Sequence, residues 1–354
     1  MSDNGPEIKK GGNPFGAHRV LEPRGGLPQP ALKLDNRMDF IYDNELLVDV
    51  DTLNIDSASF TQIKQEAGGD EEKMKAAILG IVGERGKMQN PVTGSGGMFI
   101  GRVAKIGPAL AGRTDLREGD KIASLVSLSL TPLRIEKILG IKPGTEQVSV
   151  AGKAILFESG IYAKIPVDIP EKLALAMLDV AGAPAQTAKL VRPNQVVVVI
   201  GAGGKSGLLC AYEASKIAGV AGIVVGIEYS KEGCDKAREF GFCDHVIQAS
   251  ATDALDCHAK LTAATGGKLA DVVINCVNIP NTEMASILMC RDEGTVYFFS
   301  MATSFTKAAL GAEGVGKDIV MLVGNGYTRH HAETTLNILR ESPSIRAAYE
   351  KLYA

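Results

Sequence analysis

Apolar residues in the C-terminal half of this chain come in short unbroken blocks. Val196–Ile200, Ile223–Ile227, His245–Ile247, Asp271–Asn275, Thr295–Ser300 and Ile319–Val323 are rich in valine and isoleucine. Short β-branched runs without polar alternation suit strands buried on both faces of a parallel sheet. Between them, Leu208–Ile217, Lys231–Phe240, Asp253–Ala264, Thr282–Cys290 and His331–Arg340 carry apolar residues at helical spacing. Gly241 and Gly266-Gly267 follow two of these segments as stop signals. Strict alternation of strand and helix predicts an α/β, doubly wound parallel sheet with right-handed crossovers.

The first half has a different rhythm. Leu46–Val50, Met98–Ile106, Lys121–Val126, Glu146–Val150 and Ala154–Phe157 read as strands, and Asp70–Val82 as one inserted helix behind Gly68-Gly69. Residues 1–30 are rich in glycine and proline and are expected to wrap the surface. Pro170–Ala181 opens a helix of leucine and alanine that leads into the second half. These patterns predict a β-rich domain over 1–176 and an α/β domain over 177–354, with the extreme C-terminus free to pack back on the first.

The first strand of the second half runs into Gly201-Ala-Gly-Gly-Lys-Ser-Gly207, and a helix pattern follows. Such a turn lets backbone approach a phosphate at a helix N-terminus, where free N–H groups favour anions. The next strand ends in Glu228, which can accept hydrogen bonds from both ribose hydroxyls of an adenosine and repels a 2′-phosphate. Strand, turn, helix, strand and acid together predict a Rossmann dinucleotide site that prefers NAD and takes NADP less well. The third glycine of G-x-G-x-x-G is Ser206 here, while Gly201, Gly204 and Gly207 satisfy a second spacing. A tight βα turn with no ligand is the plain alternative. The expected contacts are Gly201, Gly203, Gly204, Lys205, Ser206, Gly207, Glu228, Tyr229 and Lys231. Asn275, Val277, Ser300 and Met301 join them from later strand ends, which face the ligand in such sheets.

Composition narrows the function. The 354 residues suffice for two domains. With 38 basic and 41 acidic residues the net charge is −3, which gives no electrostatic case for nucleic acid or anionic membranes. No apolar run reaches membrane-spanning length, and the polar N-terminus lacks a signal-peptide core, so the expected location is cytoplasmic. The six cysteines all lie between Cys210 and Cys290 with no C-x-x-C pair, which fits reduced, partly buried thiols rather than a zinc ribbon or disulfide framework.

The order β-rich domain then Rossmann domain resembles the medium-chain dehydrogenase/reductase superfamily. Asn90–Gly101, Arg102–Gly107, Arg117–Ile122 and Gly160–Pro166 look like segments of its GroES-like barrel. Zinc-dependent members place a Cys and a His-Glu pair at the catalytic metal. Here the Cys position corresponds to Asp56, and the pair falls in Gly94-Ser-Gly-Gly-Met98, which has no ligand side chain. One carboxylate cannot hold zinc, so the resemblance implies a zinc-free member with no metal ligands. Within the superfamily, His18–Arg24 with Leu27–Pro30, Asp56–Ile63 and Glu84–Gly97 are similar to the L-erythro-3,5-diaminohexanoate dehydrogenase family of lysine fermentation. That resemblance implies oxidative deamination of a small diamino acid to 5-amino-3-oxohexanoate and ammonia.

Such a reaction moves a hydride from the amine-bearing carbon, adds water to an iminium and releases ammonia, which calls for an acid/base group. Asp56 and Glu84 are the candidate acids. Ser57, Ser59, Thr61, Arg85, Lys87 and Ser95 are candidates for holding the carboxylate or water. Each has a plainer reading: Asp56 as the cap of a following turn or helix, Glu84 and Arg85 as a solvated pair, Ser95 as part of a glycine-rich turn. A carboxylate of ordinary acidity is a poor base toward an ammonium, so either acid needs burial or a water relay. His18 is a minor candidate, and His330-His331 are expected to cap a helix or face solvent. A zinc-free quinone or enoyl-thioester reductase, or a silent Rossmann scaffold, fits the same fold. Glu228 argues against the NADPH-linked reductase and the polar cluster at 54–61 against the scaffold. The uncharged run Ile319–Val323 is expected to pair across a two-fold axis in a homodimer.

Overall fold

The computed structural model describes residues 5–142, 144, 146–300, 302–324 and 326–353. It divides into two compact units: one runs through Asp179 and takes in Tyr353, and the other spans Val180–Leu352. The division falls three residues beyond the boundary expected from sequence.

The first unit opens with short strands β1 (Glu7–Lys9), β2 (Val20–Glu22), β3 (Lys33–Leu34) and β4 (Phe40–Tyr42). Next come β5 (Glu45–Ile55), helices α1 (Ser57–Glu66) and α2 (Glu71–Arg85), and β6 (Gly97–Ile106). Strands β7 (Lys121–Ser124), β8 (Leu133–Lys142), β9 (Gln147–Phe157) and β10 (Tyr162–Lys164) and helix α3 (Glu171–Leu178) complete it. Six strands form one antiparallel sheet in the order β10-β7-β6-β5-β9-β8. Alternate residues of β5 and β6 turn inward with Phe60, Ile63, Met74, Ile78 and Val82 of the two helices to form one core. Two helices are therefore inserted where the sequence pattern suggested one. Phe60, Ile63 and Ala67 do recur at helical spacing, but over a stretch too short and polar to stand out. The two strands expected at Glu146–Val150 and Ala154–Phe157 are one continuous strand. Gly152 lets it pass β8 closely, since a Cβ there would lie 2.6 Å from the Arg134 carbonyl oxygen.

Residues 5–30 do more than wrap the surface. Arg19 is fully buried, and Val20, Ala31 and Leu34 form a small core of their own. Arg19 donates through Nε (2.9 Å) and Nη2 (2.7 Å) to the Glu45 carboxylate, which also accepts from the Tyr42 amide at 2.8 Å. The fourth donor is His18 Nε2 at 2.7 Å. Because His18 Nδ1 accepts from the Asn13 amide, the ring proton sits on Nε2 and points at Glu45. Burial alone would raise the Glu45 pKa; the bonds from His18 and Arg19 and the guanidinium charge outweigh it and hold the carboxyl below its usual range.

The second unit runs α4 (Gly182–Leu190), β11 (Val196–Ile200), α5 (Lys205–Ala218), β12 (Ile223–Glu228), α6 (Lys231–Phe240), β13 (His245–Gln248), α7 (Ala254–Thr265) and β14 (Ala270–Asn275). It continues through α8 (Glu283–Met289), β15 (Cys290–Phe298), α9 (Phe305–Gly314), β16 (Val320–Val323), α10 (His331–Glu341) and α11 (Pro343–Tyr353). The sheet is parallel throughout, in the order β13-β12-β11-β14-β15-β16. The apolar runs have the predicted cause. In β11, Val196, Val198 and Ile200 enter one core and Val197 and Val199 the other. Strand β15 starts five residues earlier than expected, because Asp292, Glu293 and Gly294 interrupt its apolar pattern. As expected, His330 stands exposed at the N-cap position of α10, at φ +65° and without a side-chain cap bond, whereas His331 is buried, with burial lowering its pKa. No helix among the described residues is long and apolar enough to cross a membrane.

Lys87 is fully buried just past α2, where its Nζ donates to the Pro28 carbonyl oxygen at 2.9 Å. Desolvation, reinforced by the nearby charge of Arg85, lowers its pKa to about 8. Between that value and the ordinary lysine pKa near 10.5 the unfolded chain holds a proton that the folded chain has released. Stability therefore rises with pH across this window. Urea titrations from pH 7.5 to 10 should show a rise on the order of 2–3 kcal/mol from this group, and Lys87→Met should flatten it.

Candidate functional site

In the second unit, β11 ends at Ile200 and the chain turns at Gly201, φ +84°, a conformation that favours glycine. A Cβ on Gly207, in the first turn of α5, would lie 1.9 Å from the Gly201 carbonyl oxygen. This accounts for Ser206. The close helix–turn packing that the third glycine serves elsewhere falls one residue later, on Gly207. On the other side, a Cβ on Gly203 would lie 2.4 Å from the carbonyl oxygen of Gly233 in α6. Gly204 precedes α5 and offers no side-chain cap, so the amides of its first turn remain available for an anion.

Glu228 stands at the end of β12 and accepts from the Gly203 amide at 2.6 Å through Oε1. The acid is thus fixed against the glycine turn. Gly233 belongs to the same packing, since a Cβ there would lie 2.6 Å from Glu228 Oε2. The sequence reading missed Gly233, although a glycine in the first turn of a short helix just beyond the acid was a usable signal. Tyr229 is 72% exposed, and its carbonyl accepts from Gln248. Lys231 is exposed and pairs with Asp235 at 2.5 Å. Val277 packs on Gly201. Asn275 is buried, and its amide nitrogen donates to Thr282 (2.9 Å) and Ser286 (3.0 Å), so its side chain fixes the following turn instead of reaching outward. Ser300 is buried and accepts from the Ala302 amide. Met301 lies outside the described residues. Cys210 of α5 and Cys276 are reduced, with sulfurs 3.8 Å apart.

This cradle fits a dinucleotide. Glycines stand where any side chain would collide, uncapped amides face the turn, and a carboxylate is held at the end of the second strand. Gly201, Gly203, Gly204, Ser206 and Gly207 would hold its phosphates, and Glu228 its adenosine ribose.

In the first unit, Asp56 follows the last residue of β5 and caps α1, its Oδ1 accepting from the Ser59 amide at 3.1 Å. The capping reading is correct as far as that oxygen goes. The other oxygen, Oδ2, is buried and has no hydrogen-bond partner. Ser59, fully buried, lies 2.6 Å from Thr93 Oγ1 and 2.8 Å from Ser95 Oγ, and those two hydroxyls are 3.0 Å apart. Asn90 sets this cluster. Its Oδ1 accepts from the amides of Val92 and Thr93, and its Nδ2 donates to Gln62 Oε1 at 2.7 Å. The fold thus brings Asp56, Ser59 and Ser95 together and adds Thr93 and Asn90. The sequence reading missed both, although Asn90-Pro-Val-Thr93 is a turn signal. Ser57 is exposed and donates to Glu146 Oε1 at 2.9 Å. Thr61 and Glu84 are exposed, and Arg85 reaches Gln89 at 3.4 Å. No hydrogen bond or ion pair among the described residues joins Glu84, Arg85 or Lys87 to Asp56. Nor do the described residues place three or more His, Cys, Asp or Glu side chains so as to hold a metal ion.

Solved structures with a similar fold include an Escherichia coli quinone oxidoreductase complexed with NADPH (TM-score 0.52, 16% identity, 88% of this chain and 81% of that one). The CurK enoyl reductase is another (TM-score 0.54, 14% identity, 87% of each chain). The family model of zinc-binding dehydrogenases matches residues 209–331. Fold and cradle define an oxidoreductase of the medium-chain dehydrogenase/reductase class with a nicotinamide cofactor. The model of the L-erythro-3,5-diaminohexanoate dehydrogenase N-terminal domain matches residues 18–166. L-erythro-3,5-diaminohexanoate dehydrogenase of Acetoanaerobium sticklandii is 62% identical over 96% of this chain and 98% of its own length. The enzyme of the same name from Fusobacterium nucleatum is 59% identical over 97% and 99%. The chain belongs to the L-erythro-3,5-diaminohexanoate dehydrogenase family.

The contact at Gly207 makes a sharp prediction. Gly207→Ala should push α5 away from Gly201, destabilise the fold by about 1–3 kcal/mol and raise the cofactor Kd. Denaturant titration and cofactor-binding calorimetry would check the two effects separately.

Proposed function

We propose that this chain catalyses the NAD-dependent oxidative deamination of L-erythro-3,5-diaminohexanoate to 5-amino-3-oxohexanoate and ammonia, in the cytoplasm, as a step of lysine fermentation. The observation that carries the reading is identity of 62% and 59%, over 96% and 97% of this chain, to two relatives that bear this one name. The quinone and enoyl reductases share only the fold at 14–16% identity and lend no support to the alternative chemistry.

A nicotinamide dinucleotide held by the Gly201–Gly207 turn and Glu228 would supply the hydride acceptor for the substrate carbon that bears the reacting amine. The chain's own part is proton chemistry and orientation. Asp56 offers one carboxylate oxygen held by the Ser59 amide and one buried oxygen without a partner. An unpaired buried acceptor is costly and is best retained where a ligand completes it. That oxygen pairs with the reacting ammonium, takes its proton, and later orients the water that replaces nitrogen. Ser59, Thr93 and Ser95 form a hydroxyl chain from a buried position to an exposed one, suited to passing a proton or holding the substrate carboxylate. No residue in this scheme calls for zinc, because the amine lone pair supplies the electron push. NADH absorbance in a steady-state assay with 3,5-diaminohexanoate and NAD tests the whole reading. Turnover should survive exhaustive chelation, and Asp56→Asn should lower kcat by about 10²–10⁴-fold. No turnover would refute the substrate, an active Asp56→Asn variant the role of Asp56, and loss on chelation restored by zinc the metal-free scheme.

Glu228 is the reason to favour NAD, since a 2′-phosphate would meet its carboxylate. Lys231 offers that phosphate little, being already paired with Asp235. Glu228→Ala should raise the NADP-to-NAD ratio of kcat/KM by roughly tenfold or more.

The assembly we propose is a homodimer through β16. This strand is last in the sheet order, with Val320 and Val323 56% and 62% exposed and no charge along its length. An open apolar edge invites pairing. Sedimentation should give twice the chain mass, falling to the monomer on Met321→Glu; a monomer at all concentrations in the unaltered protein would refute it.

A further inference from the structure

The last helix of the chain, α11, bears on the cofactor turn. Tyr349 is 2% exposed, and its hydroxyl donates a short hydrogen bond to the main-chain carbonyl of Lys205, the first residue of α5. Ile345, one turn earlier on α11, is fully buried and seats the helix. A carbonyl at this point in a helix already accepts from the amide four residues on, and its second lone pair is free for another donor. The phenol occupies that second position.

The consequence is electrostatic. The Lys205 carbonyl shares a peptide unit with the Ser206 N–H. Ser206 N–H is among the first amides of α5, which have no partner within the helix. A hydrogen bond to one end of a peptide unit polarises it and makes the N–H at the other end a stronger donor. Tyr349 therefore pulls on the rear of a peptide whose front faces the glycine turn.

We propose that Tyr349 is a positioning residue for the cofactor's phosphates: it fixes and polarises the Lys205–Ser206 peptide so that the Ser206 amide binds phosphate more tightly. This rests on the reading of the Gly201–Gly207 turn as a dinucleotide site. Tyr349 touches no cofactor or substrate itself. The benefit is confined to ligands that carry phosphate there, and a packing role would not be so confined.

Adenosine and ADP-ribose separate the two. Both carry the adenosine, and only the second carries the diphosphate. Calorimetry on the full chain should show Tyr349→Phe weakening ADP-ribose about fivefold while adenosine binds as before. KM for NAD should rise by a similar factor with kcat unchanged. Replacing Tyr349 by 3-fluorotyrosine, a stronger donor of nearly the same shape, should tighten ADP-ribose, and it serves the test should Tyr349→Phe fold poorly. Equal loss for both ligands would make Tyr349 a packing residue and overturn the proposal. So would unchanged ADP-ribose affinity in Tyr349→Phe, or no gain with 3-fluorotyrosine. If the unaltered protein bound adenosine and ADP-ribose equally, or neither, the reading of the turn itself would fall, and the proposal with it.

Discussion

The first unit depends on a carboxylate that has no access to water. Glu45 is wholly buried, yet four donors from His18, Arg19 and Tyr42 converge on its two oxygens. A buried ion pair so fully satisfied is tolerable, and one with a missing partner costs about 3–5 kcal/mol. The arrangement therefore works as a register lock. It pins the glycine- and proline-rich N-terminal segment to the start of β5, and β5 is one of the two middle strands of its sheet. The far end of that strand delivers Ile55 opposite Gly97, and then Asp56. The placement of the candidate acid at one end follows from a charge network eleven residues away at the other.

The second unit solves a comparable problem with absent side chains. Gly201 meets Gly207, and Gly203 meets Gly233, at distances a methyl group would not survive. These contacts bring α5, α6 and two strand ends to one point and leave backbone amides uncovered there. Glu228 is held in the same knot by the Gly203 amide. Rigidity here comes from close backbone approach, and backbone geometry is what a phosphate reads.

Polar groups in the molecule divide by how completely they are satisfied. Asn275, Asn90 and Glu45 are buried and their partners are accounted for, so they set conformation. Asp56 has one satisfied oxygen and one orphan, and the role proposed for it rests on that orphan. Lys87 is the opposite case, a cation buried with a carbonyl for company and a pKa drawn down toward neutrality. The family to which the chain belongs handles a doubly ammonium-bearing substrate, and a free buried carboxylate oxygen is the feature here that matches it chemically.

Local pattern sufficed wherever one short segment carries its own signal. The buried parallel strands, the glycine turn and Glu228 could be read directly, because β-branched runs, positive-φ glycines and a strand-end acid act through nearest neighbours. Asp56 could be singled out for the same reason, though whether it caps or reacts could not. The tertiary structure decided what depends on residues far apart in the chain. It buried Arg19 against Glu45, gathered Thr93 and Ser95 around Ser59, turned the Asn275 side chain inward, moved the glycine contact from position 206 to 207, and set Tyr349 behind Lys205. Helix α1 and the early start of β15 were hidden by polar residues whose neighbours are supplied by other elements. Periodicity reports which face of an element is apolar; it carries no record of which distant group will meet a polar side chain there, and that meeting makes the site.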